Sequence, residues 1–183
     1  MMPGVHIDSA PDDGFTPSTD ELIANNATYA AAFDDHDLAV EPSRRLAVVA
    51  CMDSRMDIFQ LLGLGHGEAH IIRNAGGVIT NDVERSLVVS QTMLGTREIV
   101  LIHHTDCGLQ KHDDTTFRAL LEDEFGQVPV WALESFRDPY ASVRQSITRV
   151  RNSPFIRHKD NLRGFVFRVA DGRLDEVTVP VGQ

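Results

Sequence analysis

Cys51 and Cys107 are the only cysteines in the 183-residue chain. His104 precedes the second of them in the run His104-Thr-Asp106-Cys107-Gly108. Thiolate sulfur and neutral imidazole nitrogen are the donors that suit Zn²⁺. A pair of cysteines has plainer uses too. It could form a disulfide, but Met1 to Asp13 has neither a basic start nor an apolar stretch and does not read as an export signal. Reducing compartments keep thiols free, and a cytoplasmic location is the expectation. The cysteines could also be inert core residues, the ordinary state of a free thiol. Their place in the fold has to decide.

Hydrophobic patterning gives that place. Arg45 to Cys51 is a continuous apolar run, as expected of a strand buried on both faces. Met56 to Leu62 reads as a short helix stopped by Gly63, and Glu68 to Arg73 as a second strand. Asn74-Ala-Gly-Gly77 breaks that strand, and helical spacing follows from Asp82 to Leu94. Glu98 to His103 is a third strand. Thr115 to Phe125 and Pro139 to Arg151 read as helices. Leu162–Val169 and Leu174–Val179, joined through Asp171-Gly172, form an expected antiparallel hairpin. The alternation of strand and helix predicts a single α/β domain. Its central sheet is mostly parallel and flanked by helices, with the hairpin at one edge.

Residues 1–18, with three prolines and two glycines, read as a flexible N-terminal arm, and the domain is expected to occupy 19–183. Ser18 or Thr19 could cap an alanine-rich helix from Asp20 to Phe33. Its small residues, Ala24, Ala27, Ala30, Ala31 and Ala32, would allow close approach to a partner chain as readily as to its own domain.

In open parallel sheets, sites form at the carboxyl ends of strands where strand order reverses. If the first and third strands are neighbours, with the second beyond the first, Cys51, His104 and Cys107 flank that crevice. Three such ligands leave one zinc position open, the arrangement of a catalytic rather than a structural metal. Composition removes other classes. Lys plus Arg number 17 against 27 Asp plus Glu, a net charge of −10, which disfavours nucleic acid or an anionic membrane surface as partner. No apolar run approaches the ~18 residues of a membrane span.

Cys51-Met-Asp53-Ser-Arg55 at one strand end, Asn74-Ala-Gly-Gly77, and His104-Thr-Asp106-Cys107-Gly108 together resemble the β-class carbonic anhydrases, in their short prokaryotic form. The likeness is close over roughly residues 45 to 110. It implies Cys51, His104 and Cys107 as zinc ligands, and Asp53 and Arg55 as a catalytic dyad. It implies reversible hydration of carbon dioxide to bicarbonate and a proton by a zinc-bound hydroxide. In the family the aspartate can also swing onto the metal as a fourth ligand in a closed state. A homodimer or dimer of dimers is implied as well. Two thiolates cancel the charge of Zn²⁺, so a helper is wanted. Asp53 can accept a hydrogen bond from the water, and Arg55 can hold Asp53 by a bidentate fork. Without Cys51 beside them, the same two residues would read as a surface salt bridge. Rival readings are a zinc hydrolase of carbonyl sulfide or carbon disulfide on the same fold, and a non-catalytic zinc-binding protein.

Other residues carry less. Asn74-Ala-Gly-Gly77 could favour an anion through its backbone amides, or simply allow close packing. Gly63-Leu-Gly-His-Gly67 reads as a helix stop. His103 should point away from His104 and be buried. His66, Lys111 and His112 could relay protons if exposed, although solvation is their default. Arg144, Arg149, Arg151, Arg157, His158 and Lys159 read as a solvated basic stretch. Leu87, Val88 and Met93 read as helix core.

Overall fold

The structure is a computed structural model that describes residues 14–179. Contacts divide the chain into two units, Met1–Leu38 and Ala39–Gln183. In the first, α1 runs from Thr19 to Ala31 and buries none of its residues. The helix is therefore shorter at its end than expected, and Ser18 occupies the cap position without a capping side-chain bond. Residues 1–13 of the expected arm lie outside the described residues.

The second unit contains β1 (Leu46–Cys51), α2 (Ile58–Leu62), β2 (Ala69–Asn74), α3 (Asn81–Thr92), β3 (Glu98–His104), α4 (Asp114–Phe125), α5 (Pro139–Asn152), β4 (Asn161–Phe167) and β5 (Leu174–Val177). Each element lies within a few residues of its expected span. The sheet order is β2-β1-β3-β4-β5. The first four strands are parallel, and β5 runs antiparallel to β4 at the edge. β1 therefore has β2 on one side and β3 on the other, the order on which the convergence of the two cysteines and His104 depended.

Every residue of β1 is buried because both faces of the sheet are covered. Ala47, Val49, Ile99 and Leu101 pack with Val83 and Leu87 of α3 and Val143 and Ile147 of α5. Leu46, Val48, Ala50 and Ile102 pack on the opposite side with Met56 and Ile58. Side chains alternate between faces, so these two cores fix the register of β1 against β3, with Ala50 opposite Ile102. Local signals end the helices. Gly63 and Gly126 close α2 and α4 in left-handed conformation. The Asp138 carboxylate accepts from Tyr140 and Ala141 N–H at the start of α5, where Pro139 sits in the first turn. Met93 departs from expectation. It lies one residue beyond α3 and is 72% exposed, because six positions after Leu87 put it about 120° around the helix from that member of the buried stripe of Val83, Leu87 and Ser90.

Candidate metal centre

Cys51 is the last residue of β1 and His104 the last of β3. Cys107 stands just before a 3-10 turn, Gly108–Lys111, and its N–H donates to Gln110 Oε1 at 2.9 Å. All three are buried, and both cysteines are free. Their donor atoms lie within 4.8 Å of one another, the one such group among the described residues.

The donor set fits a soft divalent metal. His104 Nδ1 lies 2.9 Å from the Thr105 carbonyl, which can only accept, so Nδ1 carries the hydrogen. That leaves a lone pair on Nε2, which is buried and has no hydrogen-bond partner. A ligating histidine is commonly fixed in its tautomer by such a carbonyl. The Cys107 thiol beside Cys51 pulls the Cys51 thiol down, against the opposing effect of burial. The same contact, with burial, pushes Cys107 up. Two neighbouring sulfurs beside an unpartnered imidazole nitrogen suit Zn²⁺.

Next to this group, Asp53 and Arg55 form the expected fork. Arg55 Nε donates to Asp53 Oδ1 at 2.9 Å, and Nη2 donates to Oδ2 at 2.7 Å. These bonds hold the Asp53 carboxyl well below the usual carboxylate range. Asp53 Oδ2 also lies 3.6 Å from His104 Nε2, so the dyad faces the cysteine–histidine group and not only solvent.

Two neighbours were not singled out from the sequence. Arg73, at the end of β2, donates from Nε and Nη2 to the Cys51 carbonyl at 2.9 and 2.8 Å, and from Nη2 to the Asp53 carbonyl at 2.7 Å. It thereby fixes the turn that carries both side chains. Asp106 accepts from Arg55 Nη1 at 3.0 Å. The sequence signals were present, an arginine ending a strand and an aspartate between two candidate ligands, but the partners depend on strand order.

The Asn74-Ala-Gly-Gly77 turn lies over the ends of β1 and β3. A Cβ at Gly77 would stand 2.8 Å from Cys51 N and 3.0 Å from Ile102 O, and Gly77 has φ +69°. Close backbone approach accounts for this glycine. His103 is fully buried and pushed down to about 4 by that burial, with its ring 5.7 Å from that of Phe136. It is not part of the cysteine–histidine group. Lys111 pairs with Asp106 at 3.2 Å. The basic stretch is partly engaged: Arg149 bonds Glu134 at 2.8 Å, and Lys159 donates to the Arg151 carbonyl at 2.8 Å.

A family model described as carbonic anhydrase matches residues 46–174. The chain is 51% identical over 160 residues to beta-carbonic anhydrase 1 of Mycobacterium tuberculosis, covering 87% of this chain and 98% of that one. It is 29% identical to a carbon disulfide hydrolase of Acidithiobacillus thiooxidans, over 80% of this chain and 83% of the other. The crystal structure of carbonic anhydrase from Streptococcus mutans superposes with a TM-score of 0.83 at 39% identity, covering 90% and 99% of the two chains.

Proposed function

The chain belongs to the β-class carbonic anhydrases, and from that premise we propose that it catalyses reversible hydration of carbon dioxide to bicarbonate and a proton, with zinc held by Cys51, His104 and Cys107. The observation that carries the proposal is the buried set of two free thiols and an unpartnered Nε2 within 4.8 Å, faced by the Asp53–Arg55 fork.

When bound, zinc would supply Lewis acidity, lowering the pKa of water so that hydroxide is available near neutral pH. The protein does the rest. Cys51 and Cys107 give two anionic sulfurs that match the ion's charge, and His104 gives a neutral nitrogen through Nε2. Arg55 keeps Asp53 ionised, so its carboxylate can only accept a hydrogen bond. Asp53 Oδ2, 3.6 Å from His104 Nε2, would accept a hydrogen bond from the O–H of the attacking water and so orient it. Arg73 fixes the backbone of Cys51 and Asp53, so the ligand and the acceptor keep one spacing.

Association with a second copy belongs to the same proposal. α1 buries nothing, and Leu22, Ile23, Tyr29 and Phe33 are exposed on or just beyond it. Such a helix is stabilised by packing, not by propensity alone. A second copy of this chain is the occupant we assign to its apolar side chains.

Hydrolysis of carbon disulfide or carbonyl sulfide is the competing reading, favoured by the 29% identical relative of that name. The greater likeness to beta-carbonic anhydrase 1 favours carbon dioxide. A non-catalytic zinc protein would have no need of the Asp53–Arg55 fork. Metal analysis together with initial rates for all three gases at one enzyme concentration tests the proposal. Zinc with rapid carbon dioxide hydration supports it, and turnover confined to the sulfur gases overturns it.

A further inference from the structure

We propose that Asp106 is a positioning residue for this reaction, holding the Arg55 guanidinium in the plane from which it grips Asp53; the proposal rests on the carbonic anhydrase reading above.

Arg55 presents its N–H donors on a rigid planar fork. Its Nε and Nη2 engage Asp53. Its other edge meets Asp106, where Nη1 donates to Oδ2 at 3.0 Å and Nη2 donates to the backbone carbonyl at 3.1 Å. One residue thus offers both a side-chain and a main-chain acceptor to the same guanidinium. It does so with its backbone at φ +56°, a left-handed conformation that aspartate tolerates better than most residues. Lys111 Nζ holds the other carboxylate oxygen at 3.2 Å. Arg55 is therefore gripped from both sides by carboxylates on different strand ends.

Orientation, not stability, is what this contact controls. The Arg55 and Asp106 side chains are 43% and 57% exposed, and ion pairs so exposed contribute little to folding. Asp53 and Arg55 lie two positions apart in one turn, so they could swing together. Asp106 comes from 51 positions later, beyond β3, and ties Arg55 to the other wall of the crevice. Asp53 Oδ2 is already 3.6 Å from His104 Nε2. Released from Asp106, the pair could shift, and the Asp53 carboxylate would be free to join Cys51, His104 and Cys107 in holding a bound zinc, for which carboxylate oxygen is an acceptable ligand.

The test uses zinc-loaded full-length protein carrying Asp106→Gly or Asp106→Asn. Glycine adopts the left-handed backbone without strain, and asparagine keeps one acceptor but loses the charge. Asp106→Gly should lower kcat roughly 10-fold and Asp106→Asn less, with KM within about twofold. Zinc should stay at one per chain, and its loss to a chelator should slow as Asp53 joins the ligands. In an Arg55→Ala background, Asp106→Gly should change kcat by less than about twofold, since its target is gone. Equal losses in both backgrounds, or faster zinc loss, would show that Asp106 braces Cys107 instead and would overturn the proposal. So would an unchanged kcat in Asp106→Gly beside an active wild type. An inactive wild type would instead refute the underlying reaction, and the positioning role with it.

Discussion

Asp53 Oδ2 stands 3.6 Å from Nε2 of His104, too far for a hydrogen bond and too near for the two groups to be independent. The carboxylate sits beside the one buried imidazole nitrogen of His104 that lacks a partner. Only Arg55, on its other side, engages both of its oxygens. Asp53 is thus suspended between a guanidinium and the cysteine–histidine group. The consequences can be measured.

Wild-type protein should contain one zinc per chain. Cys107→Ser replaces a soft sulfur with a hard hydroxyl and should lower zinc affinity by more than the ~10–100-fold typical of losing a supporting outer group. Chelation should also lower the unfolding temperature, because the unfolded chain has no preformed site. Full zinc occupancy with full turnover in Cys107→Ser would remove this residue from the ligand set.

Arg55→Ala should retain zinc and lose at least ~100-fold in carbon dioxide hydration, equivalent to about 2.7 kcal/mol of transition-state stabilisation. The loss should persist on the alkaline side of the pH–rate profile. Near-normal turnover at about pH 8.5 would make Arg55 a structural salt-bridge residue.

Gly77→Ala should destabilise the protein by about 3 kcal/mol or more, because it combines a left-handed backbone with a clash against fixed backbone atoms. Those atoms, Cys51 N and Ile102 O, would lie 2.8 and 3.0 Å from the new Cβ. Gly95 supplies the control, with φ +71° and no atom within 4 Å of the position a Cβ would take. Gly95→Ala should cost only about 1–2 kcal/mol, the conformational penalty alone. Thermal or urea unfolding of the two variants separates the contributions, and equal losses would contradict the close-approach argument.

Replacing Leu22 and Ile23 of α1 by Asp should leave the fold intact, since both side chains are exposed, at 60% and 64%. It should weaken association between copies, which light scattering at micromolar concentration reports. A monomeric wild type with undiminished turnover would defeat the assignment of α1 to a second copy.

Chemistry and secondary structure were legible in the chain itself. Residue type restricts Cys51, His104 and Cys107 to a few uses, and the continuous apolar runs of β1 and β3 place two of them at strand ends. Local rules also suffice for the stop at Gly63 and the N-terminus at Asp138, because their causes lie within a few residues. They fail where a side chain answers to something distant.

Tertiary structure decided what the spacing left open. The order β2-β1-β3 brings Cys51 and His104 to one crevice, and it is set by two apolar layers packing on opposite faces of the sheet. The same order puts Arg73 against the Cys51 carbonyl, 22 positions away, and Asp106 against Arg55, 51 positions away. No periodicity links such pairs. Both aspartate and arginine are ordinarily solvated, so their identity alone predicts no partner. Burying the sheet's apolar faces selects the strand order. That order then brings the polar groups at the strand ends within hydrogen-bonding distance of one another.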